Sequence, residues 1–237
     1  MIYATGDMHG DFKKFKSACK LLKKGDTLLI AGDFGFVWKG GKAEERILKK
    51  IGKSQFDICF IDGANENHEL LMQYPVEEYH GGEAAVISGN LRWLRRGSVF
   101  EIEGKRIFAF GGAKSDEIES KQKCGTWHAS ELPGEEEFAY GRKNLEHNGW
   151  QVDYILTHQP SAAVLASMEA RYVDCDALQI YLDEIGKKTK YDLWIFGRLH
   201  RDRKITYKCT AVFKEVVALN PGPLKIPERK INGRRIR

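Results

Sequence analysis

No stretch of this 237-residue chain approaches the roughly 18 consecutive apolar residues that a membrane-spanning helix needs, so no membrane segment is expected. The five cysteines, Cys19, Cys59, Cys124, Cys175 and Cys209, stand singly, with no C-x-x-C pair and an odd total. That spacing argues against a cysteine-built zinc module or a disulfide framework and fits free thiols in a reducing compartment. Residues 1–6 carry neither a basic n-region nor a long apolar h-region, so a cytoplasmic location is expected. Internal repeats and low-complexity linkers are also missing. The net charge of +5 is confined to one end. Between Lys225 and Arg237 six basic residues stand against Glu228, which leaves 32 residues of each sign in the preceding 224. One domain over 1–224 followed by a basic tail over 225–237 is the expected organisation. The tail suits solvent or an acidic partner, and nucleic-acid binding carries little weight.

What the chain does contain is alternation. With 42% hydrophobic and 30% charged residues it is long enough to bury a sizeable core. The apolar pattern predicts a strand over 2–5, then a helix over 12–22, with Lys13, Lys14, Lys16, Lys20, Lys23 and Lys24 as its solvated face. A strand over 27–31, a helix over 43–51 and a strand over 56–61 follow. Residues 98–110 predict a hairpin about Gly104-Lys105, and the polar stretch 114–133 reads as a surface insertion that includes Trp127. Helices over 135–148 and 177–185, strands over 154–156 and 193–196, and two late strands near 205–209 and 212–219 complete an α/β pattern in which helices flank paired sheets.

Carboxylates and imidazoles sit where those strands stop. Asp7 and His9 follow the first strand, Asp33 the second, and His158 and His200 each close a later apolar run. A mixed Asp/His set suits a divalent transition ion such as Mn, Fe or Zn, whereas all-oxygen ligands would suit Mg or Ca. Ligands at strand ends converge outside the carboxyl edge of a sheet.

The motifs Gly6-Asp7-Met8-His9-Gly10, Gly32-Asp33, Thr157-His158 and Gly197-Arg198-Leu199-His200, in this order, resemble the calcineurin-like metallophosphoesterases. Asp62-Gly63 with Glu66-Asn67, then Tyr79-His80-Gly81-Gly82 and Gly111-Gly112-Ala113-Lys114-Ser115-Asp116, are similar to a bacterial and phage branch. The resemblance implies a four-layer αββα sandwich and a hydrolase that cleaves phosphate esters at two metals bridged by one aspartate. It places Asp7, His9 and His200 on the first metal, Asp33 as the bridge and His158 on the second, with hydroxide generated at the metals attacking phosphorus.

Three positions depart from the family pattern. Where Gly-Asn-His-Glu is expected the chain has Gly63-Ala64-Asn65-Glu66, and where Gly-His-x-His is expected it has Gly197-Arg198-Leu199-His200. Ala64 offers no ligand atom, and Arg198 brings fixed positive charge toward a cation site. Asn65 cannot pass a proton to a leaving group. All three losses fall on the second metal's half, so one ion is expected rather than two. Arg198 and Asn65 are then the catalytic candidates that remain, Arg198 as an electrostatic aid to the phosphate. Two readings follow: a weakened metal-dependent phosphoesterase, or an inactive relative that binds a partner or a phosphorylated ligand. The repeat of the motif at Asn67-His68-Glu69 is read as a helix start, with His68 on the surface. The arginines of Arg92-Trp93-Leu94-Arg95-Arg96 are read as a solvated basic edge or an approach to phosphate, and Gly111-Gly112 as a close backbone approach near the site.

Overall fold

Strands buried on both faces read as unbroken apolar runs, and Leu28-Leu29-Ile30 and Trp194-Ile195-Phe196 are runs of that kind. The computed structural model describes residues 1–169 and 175–220; the basic stretch 225–237 lies outside them. The chain runs β1 (Ile2–Thr5), α1 (Phe12–Ala18), β2 (Thr27–Ile30), α2 (Lys42–Gly52), β3 (Asp57–Phe60), α3 (His68–Leu71), β4 (Val76–Tyr79), β5 (Gly82–Ser88), β6 (Leu91–Leu94), β7 (Ser98–Ile102) and β8 (Lys105–Phe110). It continues through α4 (Ile118–Lys123), α5 (Glu135–His147), β9 (Tyr154–Thr157), α6 (Ala162–Glu169), α7 (Ala177–Lys188), β10 (Leu193–Phe196), β11 (Arg203–Thr206), β12 (Cys209–Ala211) and β13 (Val217–Ala218). Among the described residues the strands form two sheets, in the orders β13-β1-β2-β3-β6-β5-β4 and β11-β12-β10-β9-β8-β7. Each has a parallel centre, β1-β2-β3-β6 and β12-β10-β9-β8, with antiparallel strands at its edges.

Side-chain alternation along these strands builds the layers. Ile2, Ala4, Leu29, Ala31, Cys59 and Ile61 face inward from the first sheet and meet Ile107, Ala109, Tyr154, Leu156 and Ile195 of the second. The intervening residues face outward. Leu28, Ile30, Ile58 and Phe60 pack against Phe15 of α1 and Leu48 and Ile51 of α2. Phe108, Phe110, Ile155, Trp194 and Phe196 pack against Phe138 and Leu145 of α5 and Leu178, Leu182 and Ile185 of α7. The result is the four-layer αββα sandwich. Helix starts are marked locally: the Asp11 carboxylate accepts from the backbone N–H of Lys13 and Lys14, and Asp176 and Gln179 cap α7 reciprocally. Burial pushes the Cys59 and Cys209 thiols up to about 12, which makes them inert packing groups.

Several boundaries differ from the sequence reading. The hairpin turn is Glu103-Gly104, one residue earlier than expected: both adopt positive φ (+49° and +70°), as a two-residue turn between twisted strands demands, and Lys105 pairs with Ile102. Strands β4, β5 and β6 lie in a stretch left unassigned, because Glu77, Glu78, Glu83 and Arg92 break the apolar signal and a bulge interrupts the pairing between Val86 and Ser88. Helix α6 has no counterpart among the expected elements. Cys209 begins β12 instead of ending the strand before it, since the chain turns at Tyr207-Lys208. Of the expected strand over 212–219 only β13 forms, and it crosses back to pair with β1 of the other sheet. In the insertion, Ser115 and Glu131 are buried.

Truncating the fully buried Leu29 to Ala should cost about 2–5 kcal/mol in urea unfolding, whereas Ile47→Ala on the exposed side of α2 should cost less than about 0.5 kcal/mol.

Candidate metal centre

The parallel centres of both sheets point their carboxyl ends to the same rim, and the chain leaves β1, β2, β9 and β10 there. Gly6-Asp7 follows β1, Gly32-Asp33 follows β2, His158 follows β9, and Gly197 to His200 follow β10. Backbone hydrogen bonds weld the first two turns: Met8 N–H and His9 N–H both donate to the Asp33 carbonyl at 2.9 and 2.8 Å. The other two turns reach across between the sheets. His158 Nδ1 donates to the Ala31 carbonyl at 2.8 Å, and the Arg198 backbone N–H donates to Asp7 Oδ1 at 3.2 Å.

Five predicted residues therefore come together. His158 Nδ1 lies 3.4 Å from Asp7 Oδ1, and its Nε2 lies 3.5 Å from Asp33 Oδ1. His200 Nε2 is 3.5 Å from Asp7 Oδ2, His9 Nε2 is 3.8 Å from Asp33 Oδ2, and the two imidazole Nε2 atoms face each other at 2.9 Å. Two triads have ligand atoms mutually within 4.8 Å: Asp7, His9 and His200, and Asp7, Asp33 and His158. The second triad is fully buried, while His9 and His200 open to solvent.

The donor set fits a divalent transition ion on physical grounds. Asp7 Oδ2 and His158 Nε2 are buried polar atoms without a hydrogen-bond partner, which is costly unless a cation takes them. The Ala31 carbonyl can only accept, so His158 Nδ1 is the donor there and Nε2 is the ring nitrogen left facing Asp33, the atom a metal would take. Burial works to raise the Asp33 carboxyl, but His158 and two hydrogen bonds from Asn65 outweigh it and hold Asp33 below the usual carboxylate range. Burial also lowers the His9 imidazole, only partly offset by Asp33 and Asp7, which favours the neutral ligand form.

Backbone strain is concentrated in the same turns. Among the described residues seven non-glycines have positive φ, and four of them are His9 (+49°), Asp33 (+47°), Arg198 (+68°) and His200 (+50°). Each such conformation costs about 1–3 kcal/mol and persists where the surroundings over-determine it, as at binding sites. Two glycines set the clearance. A Cβ on Gly63 would stand 2.2 Å from Asp33 Oδ1 and 2.8 Å from His158 Nε2, and one on Gly197 would stand 2.6 Å from Asp7 Oδ1.

The altered positions sit beside the buried triad. Ala64 is buried, and its carbonyl accepts a hydrogen bond from Lys121 Nζ at 2.8 Å. Asn65 grips Asp33 twice, its backbone N–H on Oδ1 at 2.8 Å and its Nδ2 on Oδ2 at 2.7 Å. The Arg198 guanidinium turns to the insertion, donating to the Lys114 carbonyl at 2.7 Å and to Asp116 Oδ1 at 2.8 Å.

Other residues fall elsewhere than the sequence suggested. His68 is buried, not on the surface: its Nε2 lies 3.4 Å from Asp62 Oδ2 and 3.4 Å from an Arg96 guanidinium nitrogen. Arg96 is neither solvated nor at the site. It is buried on Asp62 Oδ2 at 2.6 Å and on Glu137 at 3.0 Å. Burial alone would raise the Asp62 carboxyl, but Arg96 and His68 override it and hold it far below the usual range. Gly111 does permit a close approach, to the Asp62 carboxylate, where a Cβ would stand 2.3 Å from Oδ1. Lys14 leaves the solvated face expected of it: its ammonium donates to the Asp7 carbonyl and lies 3.7 Å from the Phe213 ring centroid. Phe213 in turn stacks on His200, with centroids 4.9 Å apart. Neither contact had a sequence signal, since a lysine on a helix and a lone late aromatic look ordinary.

Gly63→Ala should abolish divalent-metal binding in calorimetric titration while leaving the far-ultraviolet spectrum folded. Asp62→Asn leaves a buried arginine under-compensated and should cost roughly 3 kcal/mol at neutral pH. Because the folded Asp62 carboxyl is depressed, its contribution is present above the unfolded pKa of about 3.9 and lost as pH falls below it. Urea midpoints across pH 3–7 should therefore fall less steeply at the acid end in the Asn variant than in the wild type.

No curated protein matches the chain. The family model for calcineurin-like phosphoesterase does match, over residues 1–202. Ligand-bearing turns at the shared rim of two sheets and this match agree, and the chain belongs to the calcineurin-like phosphoesterase family.

Proposed function

We propose that the protein is a phosphoesterase that works with one resident transition ion, manganese being the first to try, held by Asp7, His9, Asp33 and His200. The observation that carries this reading is the convergence of Asp7, His9 and His200 at the open mouth of the site, where Asp7 keeps an unpartnered buried oxygen. When bound, such an ion supplies a Lewis acid for a phosphoryl oxygen and lowers the pKa of the attacking water. His9 and His200 orient it at the solvent-facing side, where a phosphate ester can enter. His158, locked by the Ala31 carbonyl, lines the buried wall and offers its unpartnered Nε2 to a cation beside Asp33.

The second half of the site is weakened. Ala64 supplies no side-chain donor, and the position beside it holds Asn65, whose amide is spent on Asp33 and which has no proton to give a leaving group. Turnover is therefore slow, and fastest with leaving groups that need no protonation. The same two residues favour the second reading, in which the chain binds phosphate esters without turning them over.

Manganese titration followed by hydrolysis of bis(p-nitrophenyl) phosphate separates the two. One ion per chain with measurable hydrolysis supports the enzyme; no hydrolysis at any manganese concentration rejects it in favour of the binding module. Joint replacement Ala64→Asn, Asn65→His and Arg198→His should bind a second ion and raise kcat by roughly 10²–10⁴-fold on substrates with poor leaving groups.

A further inference from the structure

The insertion after β8 does more than cover the rim. Ser115 is pinned by the buried Glu131: its backbone N–H donates to Oε1 at 2.8 Å and its hydroxyl to Oε2 at 2.6 Å. With its one proton committed, the Ser115 hydroxyl is left as an acceptor, and it accepts from Lys121 Nζ at 2.7 Å. The same ammonium donates to the Ala64 carbonyl at 2.8 Å. Ala64 directly follows Gly63, where an added Cβ would run into Asp33 and His158. A chain of contacts from Glu131 through Ser115 thus holds a lysine ammonium on the backbone carbonyl of Ala64, the residue that offers no metal-binding side chain.

The charge of that lysine has no direct counter-ion, and the buried Glu131 carboxylate faces it only across the Ser115 hydroxyl. Both of its partners are neutral oxygens, and among the described residues no carboxylate lies within ion-pairing distance of Nζ, so one N–H is uncommitted. Arg198 differs: its guanidinium is paired with Asp116. Of the two cations near the weakened half, Lys121 is the one with positive charge to offer an incoming anion.

We propose that Lys121 is a phosphate-binding residue, taking a non-bridging oxygen of the substrate phosphoester and supplying fixed positive charge at the half of the site that Ala64 deprives of a metal ligand. This rests on the phosphoesterase reading and assigns the phosphate's second contact to the protein itself. A compact ammonium suits the role, since it offers a point charge to a tetrahedral anion.

The test uses the full chain and two substitutions. Lys121→Gln keeps a donor for the Ala64 carbonyl and removes the charge; Lys121→Arg keeps the charge. Titration calorimetry with inorganic phosphate, on metal-free and manganese-loaded protein, is paired with kcat and KM for bis(p-nitrophenyl) phosphate. Lys121→Gln should weaken phosphate binding about tenfold in both states and lower kcat/KM by about 10–100-fold, with manganese affinity unchanged, while Lys121→Arg stays within about threefold of wild type. Equal phosphate affinity in wild type and Lys121→Gln overturns the proposal, as does a wild type that binds no phosphate or that binds two manganese ions tightly. A wild type that binds phosphate in a Lys121-dependent way but hydrolyses nothing leaves Lys121 assigned and rejects the enzymatic reading instead.

Discussion

Two carboxylates, Asp7 and Asp33, are buried within reach of one imidazole where the two sheets meet, and the rest of the rim is arranged around that cost. Like charges taken out of water repel and lose hydration together, so such a pair is stable only with cationic or hydrogen-bonding compensation. Part of it comes from the protein: Asn65 on Asp33, and the Arg198 backbone on Asp7. The remainder, an orphaned oxygen and an orphaned ring nitrogen, is what a divalent ion answers. The left-handed backbone at His9, Asp33, Arg198 and His200 follows from the same demand, because only tight turns aim side chains from four strand ends at one point.

The two halves of the site are built differently. Around His9 and His200 the ligands are exposed and supported by aromatic stacking on Phe213, itself covered by the Lys14 ammonium. Around Ala64 and Asn65 the space is knit by hydrogen bonds between organic groups, with the insertion drawn down by Lys121 and by Arg198. The candidate ligands thus lie on one side of the site and the Lys121 ammonium on the Ala64 side.

Much of this was legible in the sequence because the relevant signals are local. Strand ends followed by Asp or His mark the rim; the bounds of β1 and β10 agree with the apolar runs over 2–5 and 193–196, and the departures from the family motif at 64, 65 and 198 are read from the sequence alone. What stayed hidden depends on partners remote in the chain. His68 and Arg96 look like surface residues until Asp62, 6 and 34 residues away, buries them in one network. Strands β4 to β6 carry too many charges for the period-two signal to stand out, and they form because β6 finds β3 as a parallel neighbour. The direction of the Arg198 side chain, away from the buried triad and toward Asp116, is a choice among rotamers that no motif encodes.

The pairing of β1 with β13 joins Tyr3 to Ala218, and Ile2 donates its N–H to the side chain of Asn220. The outer edge of β1 is thus covered by a strand from near the far end of the described residues, and His200 and Phe213 lie only shortly before that strand. Loop closure over so long a separation is slow. Asp7, His9 and Asp33 come from the first sheet and His158 and His200 from the second, so neither Asp/His triad is complete until both sheets have formed and met.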